Sequence, residues 1–460
     1  MNTILIEPTD VLFFRDAIPM SAGQGKGAGC RLPFPSTLHE AFRASLLRAR
    51  GETGLKKEIA GRPRGAARKG NWHETSHETD VMIASKAFRS LRTIGPLPWL
   101  PDKGLLLPVP LDVAFTPDRL RLARLQLSAE RPAPRSDTST SKFRPACLPV
   151  ATTPPDKHGQ LSGWWTVGQY QDYLRGETSN ANDRFRPLPT SELWAAEHRV
   201  GVQIDPASFA SAERRLYAGS YLRANKRTRF VAWTEIADPA QARNGEAAAR
   251  QREREELGRL DWLLLGGEFR LARLWHKSDD GQPIPDPLGT LRRPPEPPAD
   301  NGPCLLKWVL VTPAIFAHGS LPGWCVDTRR DRPGGLRPVG QVCLDPPDHP
   351  FCAHLISWCI GKPRTVSGWD VVEGRAKPTL LAVPEGSVYY FLCENPATAA
   401  ALAQKLHWQP RSDFYGEKGC GYGLVSFDAR LHPTSPDVQE LAKSLFPRNN
   451  PSDWSDPSVS

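Results

Sequence analysis

Residues 387–427 read SVYYFLCENPATAAALAQKLHWQPRSDFYGEKGCGYGLVSF. The opening run, Ser387 to Cys393, is rich in aromatic and β-branched residues and predicts a strand. Asn395-Pro396 then leads into an Ala/Leu-rich helix over Ala397–His407. Proline suits the first helical position, where its missing N–H would have had no partner. The loop Tyr415–Gly423 carries Gly416, Gly419, Gly421 and Gly423 and feeds a last strand, Leu424–Phe427. Strand, helix, glycine loop and strand close this half of the chain as β–α–β.

Working upstream, Leu305–Val311 (LLKWVLV) and Val339–Leu344 predict two more strands. Before them, Pro283 to Pro303 holds eight prolines in 21 residues, the composition of a semi-rigid linker. The other half opens on Thr3–Glu7 (TILIE), a strand closed by Pro8, and on Val11–Phe14 (VLFF), a second. A glycine-rich stretch, SAGQGKGAGCR, follows, with Gly23, Gly25, Gly27 and Gly29 around Lys26. A helix comes next: Thr37 and Glu40 have capping-box spacing, and Leu38, Ala41, Phe42, Ser45 and Leu46 share a face. Further strands are predicted at Arg199–Asp205, Arg229–Ile236 and Phe269–Trp275, with a helix over Ala240–Leu265. This half reads β–α–β–β–α–β with one long insertion.

The predicted fold class is therefore α+β: two ferredoxin-like (RRM-like, βαββαβ) domains with long insertions. Residues 1–280 form the first, with an insertion at about 51–195; 281–303 is the linker, 304–437 the second domain, and 438–460 a disordered tail. A chain of 460 residues is long enough for two or three cores. With 46 prolines it cannot be a long helical bundle. No apolar run approaches the ~18 residues of a membrane span, and MNTILIEPTD is not a signal peptide, so a cytoplasmic chain is expected.

Lys plus Arg exceed Asp plus Glu by 59 to 50, a formal net charge of +9, which favours a polyanionic partner. Nine cysteines without a C-x-x-C pair are expected to be reduced thiols rather than a disulfide or zinc framework. Arg48–Lys69 reads as a basic loop, and 129–160 as a Pro/Ser/Thr-rich surface insertion.

No phosphate-binding P-loop, nucleophile elbow or dinucleotide fingerprint is present. His73-Glu-Thr-Ser-His77 is a formal H-E-x-x-H, but nothing around it makes the helix that would put both imidazoles on one face, and no third ligand follows. It is read as coincidence in a surface insertion. His39, in the first turn after the glycine stretch, is read as a surface residue, or alternatively as the base of an RNA-cleaving site with Lys26 or Arg31 steadying the phosphate. Strand, glycine loop and helix start together make an anion-binding geometry. In Gly416–Gly423, glycines let backbone approach phosphates while Tyr415 and Tyr422 could stack on bases; the other reading is a tight turn. Between Gly361 and Lys377, cations interleaved with Trp369 suit single-stranded RNA, or a charged loop around a core tryptophan.

Several blocks together resemble one family. LFFRDAIPM (12–20), PFPSTLHEAFRASLL (33–47), EHRVGVQID (197–205), AERRLYAGSYLR (212–223) and LLLGGEFRLARL (263–274) are similar, in this order, to the RAMP-superfamily subunit of type III-B CRISPR effectors (Cmr complexes) that grips the 5′ tag of the guide RNA. So are VTPAIF (311–316), residues 361–391 and GYGLVSF (421–427). The chain departs from that family at Ile18 and Met20, where a basic and an aromatic residue are usual.

The resemblance implies two ferredoxin-like RAMP domains, no catalysis, no cofactor and no metal. It implies crRNA as ligand, and the large polymerase-like subunit and backbone RAMP subunits as partners. The RNA-contacting residues it implies are Arg15, Lys26, Arg31, Ser36 and Thr37 near the first glycine stretch, and Arg199 and Arg223 in the middle blocks. Lys362, Arg364, Trp369 and Lys377, with Tyr415, Lys418, Gly419, Gly421 and Tyr422, complete the set. Two alternatives stand beside it: a metal-independent RAMP endoribonuclease using His39, and a protein-only scaffold.

Overall fold

The computed structural model describes residues 1–14, 26–27, 32–52, 87–116, 119–128, 148–151, 163–176, 184–205, 207–241, 246–278, 280–299, 302–317, 319–326, 339–344, 350–370, 375–427, 441–443 and 445–446. The first half contains β1 (Asn2–Pro8), α1 (Pro35–Ala49), β2 (Leu91–Leu100), β3 (Gly104–Pro108), β4 (Trp164–Thr166) and α2 (Val167–Arg175). A hairpin follows, β5 (Trp194–Ile204) and β6 (Ser211–Ala224), then β7 (Arg229–Ile236), α3 (Ala247–Gly258), β8 (Trp262–Leu264) and β9 (Leu271–Trp275). Its main sheet runs β8-β9-β1-β7-β2-β3-β4, every pair antiparallel. The strands of the insertion at 113–151 form a small separate sheet.

The second half contains β10 (Cys304–Leu310), β11 (Pro350–Cys359), a second hairpin made of β12 (Arg364–Val366) and β13 (Leu380–Ala382), then β14 (Val388–Cys393), α4 (Pro396–Leu406) and β15 (Gly423–Phe427). Its sheet core runs β11-β14-β10-β15, again antiparallel. The two halves match strand for strand: β2-β7-β1-β9 in one, β11-β14-β10-β15 in the other. In both, a helix joins the third strand to the fourth, and a hairpin sits between the second and the third.

Alternation along the strands decides the layering. Ile4, Ile6, Phe230 and Ala232 face the helix side, where Leu38, Phe42 and Leu46 of α1 and Leu257 of α3 cover them. In the second half Leu306, Trp308, Tyr389 and Phe391 lie beneath Leu402 and Leu406 of α4. The opposite faces meet each other. Leu5, Ile94, Val231 and Trp233 share one cluster with Leu305, Val309, Tyr390 and Leu424, and Trp233 meets Trp408 edge-on at 5.2 Å between centroids. The order of layers is helices, sheet, sheet, helix, with the helix-free faces back to back.

A buried polar knot ties this central layer. Asp112, in the turn after β3, accepts hydrogen bonds from the Tyr173 hydroxyl of α2 at 2.5 Å and the Tyr390 hydroxyl of β14 at 3.0 Å. Lys307 of β10 donates to the same carboxylate at 3.4 Å, its ammonium 4.0 Å from the centre of the Tyr173 ring. Both charged groups are buried, and each leaves water only because the other neutralises it.

Several expectations are corrected. The second strand of the first half is Leu91–Leu100, not Arg199–Asp205, which belongs to the β5–β6 hairpin; the prolines of LRTIGPLPWL hid a strand that is buried along most of its length. Val11–Phe14 makes only isolated bridges, from Leu12 to Leu222 and from Phe13 to Gly266. The helix expected over Ala240–Leu265 ends at Gly258, and Trp262–Leu264 pairs with β9, because Leu263 joins the core beneath α1. No capping box forms at α1: its N-cap is Phe34, with no side-chain bond. A capping box does form at α2, between Thr166 and Gln169.

The proline-rich segment is packed rather than free. Leu288 and Leu291 lie in the central layer, Asp286 accepts from the Trp233 indole at 3.1 Å, and the Leu291 carbonyl bonds His407 Nε2 at 2.7 Å. Within the expected tail, Leu441, Ala442 and Phe446 are buried in that layer too. The basic loop beyond Glu52, the H-E-x-x-H and residues 447–460 lie outside the described residues.

Removing one member of the knot exposes its cost. Asp112→Ala leaves Lys307 buried without its carboxylate and is predicted to lower unfolding free energy by ~3–5 kcal/mol. In urea denaturation, Asp112→Leu combined with Lys307→Met should recover most of that loss. A double variant no more stable than Asp112→Ala would show that the knot is not what holds this layer.

Candidate nucleic-acid interface

Segments far apart in sequence converge at the N-terminus of α1. The helix begins with Pro35 in its first turn, has no acidic residue there and no side-chain cap, and the Thr37 N–H donates to the Phe34 carbonyl at 2.9 Å. Leu32 and Phe34, just before the helix, are gripped by the second hairpin. Arg364 Nη2 donates to the Leu32 carbonyl at 3.0 Å, and its guanidinium stands 5.8 Å from the Phe34 ring centre. The other nitrogen, Nη1, forks onto Glu385 at 3.0 and 2.9 Å.

The glycine loop of the second half closes the third side. Lys418 is buried and donates to Glu40 of α1 at 2.7 Å, with its ammonium 5.1 Å from the Tyr415 ring centre. Burial alone would raise the Glu40 carboxyl, but the neighbouring cationic groups, Lys418 foremost, together outweigh it and hold the group below the usual carboxylate range. His39 lies on the inner side, buried, with Nδ1 3.3 Å from Thr93 Oγ1. Burial pushes its imidazole down to about 4, so it is neutral at neutral pH and faces core rather than solvent. The expectation of a surface histidine is corrected: the helix turns this residue onto the side packed against β2.

Gly419 has a φ of +94°, and a Cβ there would stand 2.7 Å from the Thr93 carbonyl oxygen and 3.2 Å from Pro35. At Gly421, φ +77°, a Cβ would run into the backbone of Ser412. These glycines let the loop approach the protein's own backbone, which replaces the expected approach to phosphate with a packing reason. Tyr422 is only 3 % exposed, its ring 5.7 Å from that of Trp408. It presents no face to a base, and the expected stacking by Tyr422 is withdrawn. Tyr415 is half-buried beside Lys418.

The second hairpin carries two further cations, one exposed and one half-buried. Lys362 precedes β12 and is exposed; Lys377 is half-buried after a two-residue ladder that pairs Trp369–Asp370 with Arg375–Ala376. Its backbone N–H donates to Gly368 at 2.8 Å, fixing the turn of the arm. Among the described residues neither lysine has an ion-pair partner.

The first hairpin is different. Lys26–Gly27 adds to it as a short parallel strand opposite Ala218–Gly219, and Gly219 in turn faces Arg199. Arg199 bonds Glu197 at 2.7 Å and stands 3.7 Å from Asp10, while Arg223 bonds Glu197 and reaches Asp10 at 3.1 Å. The acids Asp10, Glu197 and Glu385 escaped the sequence reading, and Glu40 was read only as a capping residue. Only Glu197 had a local signal, since residues two apart on a strand share a face and Glu197 precedes Arg199 by two.

Of the expected residues, the structure therefore gathers Ser36, Thr37, Arg364, Tyr415, Lys418 and Gly419 at one place, with Lys362 and Lys377 on the adjoining arm. Lys26 and Trp369 are placed by backbone alone, and Arg15 and Arg31 lie outside the described residues. No group of three or more His, Cys, Asp or Glu that could hold a metal occurs among the described residues, and none of their helices is long and apolar enough to cross a membrane.

The family model described as "CRISPR-associated protein (Cas_Cmr3)" matches residues 4–427. No curated protein matches the sequence. Among solved structures, the chain is similar to one in a type III-B Cmr-beta complex bound to cognate target RNA and AMPPnP, 14% identical, TM-score 0.40, covering 91% of this chain and 94% of that one. A second, in Cmr-beta bound to cognate target RNA, is 14% identical with TM-score 0.38, covering 84% and 86%. A third, in the Csm3–Csm4 subcomplex of a type III-A interference complex, is 10% identical with TM-score 0.32, covering 85% and 92%.

Acid should loosen this region. His39 stays neutral in the fold down to about 4 against an ordinary value of 6.5, so the unfolded chain binds more protons in between. The stability it contributes is complete above pH 6.5 and is lost as pH falls towards 4, by about 3 kcal/mol at 1.36 kcal/mol per pH unit. Urea denaturation across that window should show a shallower pH slope for His39→Gln than for the unaltered chain; equal slopes would place the titration elsewhere.

Proposed function

The chain belongs to the CRISPR-associated Cas_Cmr3 family, and from that premise we propose that it is a non-catalytic RNA-binding subunit of a type III-B (Cmr) effector complex, anchoring the 5′ tag of the guide RNA. On this reading it also docks to the large polymerase-like subunit and to the backbone RAMP subunits. The observation that carries the reading is the convergence of residues 32–40, the described residues of the 361–383 arm and the loop 415–421 around a helix start without a side-chain cap, with Lys362 exposed beside it. Such a surface suits a single strand: amides and lysines hold phosphates while unpaired bases remain free to be read on their edges.

Each half is read as a ferredoxin-like, RRM-like unit, supported by the strand order and the βαβ endings. In such units the open sheet face is a natural platform for stacked bases. Here both platforms are consumed by packing on each other, so RNA is left with the hairpins and loops at the sheet ends. The interface at α1 is such a place.

The endoribonuclease reading needs His39 to reach a 2′-hydroxyl. A buried imidazole beside Thr93, pushed down to about 4, has neither the access nor the basicity near neutral pH that a general base requires. The scaffold reading leaves Lys362 and Lys377, which have no ion-pair partner among the described residues, without a task.

Two experiments separate the three. Purified chain incubated with repeat-derived RNA in EDTA should retain the RNA, crosslink to it through 361–383, and leave it uncut. Cleavage that disappears in His39→Ala would establish the enzyme instead. Assembly into an effector complex without any crosslink to this chain would establish the scaffold.

A further inference from the structure

The two halves carry hairpins at the same topological position. β5–β6 enters between the second and third strands of the first sheet, and the 361–383 arm enters between the second and third strands of the other. The segment before α1 is attached to both: Lys26–Gly27 pairs with β6, and Leu32 is held by Arg364 beside β12. The hairpins are thus two arms flanking one chain segment, yet their candidate cations are engaged differently.

Around the first arm, three of the described arginines are matched by three acids. Arg199, Arg223 and Arg270 meet Asp10, Glu197 and Glu268, with Arg270 bonding Glu268 at 2.9 Å and standing 3.5 Å from Asp10. The Tyr221 ring lies between Arg199 and Arg270, 5.1 and 5.3 Å from their guanidinium carbons, and its hydroxyl donates to Glu268 at 2.8 Å. Hydrogen bonds from Arg223 and Arg199 hold the Glu197 carboxyl at about 2. The network stitches the hairpin to the end of β1 and to the β8–β9 turn. An arginine leaving it for a phosphate would strand a carboxylate, so its binding releases little net counterion. Among the described residues, Lys362 and Lys377 on the second arm have no such debt.

We propose that, within the interface read above as RNA-binding, the charge that grips the RNA backbone sits on the second arm at Lys362 and Lys377, while Arg199 and Arg223 are positioning residues that orient the first arm through Asp10 and Glu197. The ligand this selects is the phosphodiester backbone of a single strand, held by the second arm and steered by the first.

The test is the salt dependence of affinity for a short single-stranded RNA with a free 5′ end, measured by fluorescence anisotropy on the full chain. Each single-strand phosphate neutralised contributes roughly 0.7 to the log–log slope. Lys362→Ala with Lys377→Ala should flatten the slope by about 1.4, twice that contribution. Arg199→Gln with Arg223→Gln should leave the slope unchanged, with thermal melting monitored because the network also braces the hairpin.

Glu197→Gln, which keeps the arm's shape but removes one of the two carboxylates that Arg199 and Arg223 share, decides the matter independently of that melting. It should steepen the slope and tighten binding. Weaker binding by Glu197→Gln, or a flatter slope in the arginine pair, would overturn the assignment of structural arginines. A lysine pair that leaves the slope intact in a chain that still binds would overturn the second-arm grip while leaving RNA binding standing. Failure of the unaltered chain to bind would refute the RNA reading and this inference with it.

Discussion

Two sheets that turn their helix-free faces towards each other, and the buried Asp112–Lys307 pair between them, constrain everything else in this molecule. The apolar alternation of β1, β7, β10 and β14 supplies the driving force for that central layer, at roughly 25 cal/mol for each Å² of apolar surface withdrawn from water. Apolar burial has no direction, and it would tolerate one sheet sliding over the other. The charge pair does not: Asp112 comes from the first half, Lys307 and Tyr390 from the second, and Tyr173 from the helix wedged between them. Any shift that separates them leaves an uncompensated charge in a dry interior. The halves are therefore held in one register.

That register decides where a ligand can go. With both open sheet faces spent on packing, the surfaces left are the sheet ends, where the hairpins and the loop before α1 emerge. Because the halves repeat one topology, each contributes a hairpin from the same position, and locking the halves together fixes one arm against the other. The Lys418–Glu40 ion pair and the hydrogen bond from Arg364 to the Leu32 carbonyl add two further links, tying second-half residues to α1 and the segment before it. The partners of these cations lie far away in sequence, so reading each cation alone does not reveal how it is engaged.

The strand and helix periods were plain in the residues. Arg229–Ile236, Val388–Cys393 and the Asn395-capped helix are where the alternation and the capping signals put them. Leu91–Leu100 was not legible, since two prolines in one run argue against a strand unless a neighbouring strand is seen to accept it, as β7 does. The cations that resemble an RNA-binding set were also visible, but their state was not. Arg223 finds Asp10 across 213 residues and Lys418 finds Glu40 across 378, and nothing local marks such partners.

The sequence by itself determined the α+β character, the run of alternating strands, the two-part organisation around a proline-rich segment, and the kinship of its blocks. Only the tertiary structure decided that the segment is packed, that Tyr422 and His39 are interior, that the loop glycines serve close approach of the chain to itself, and which cations are matched by acids. The physical reason is range. Hydrophobic periodicity is written in neighbours three or four residues apart, whereas burial and charge neutralisation depend on groups that meet only after the chain has closed on itself.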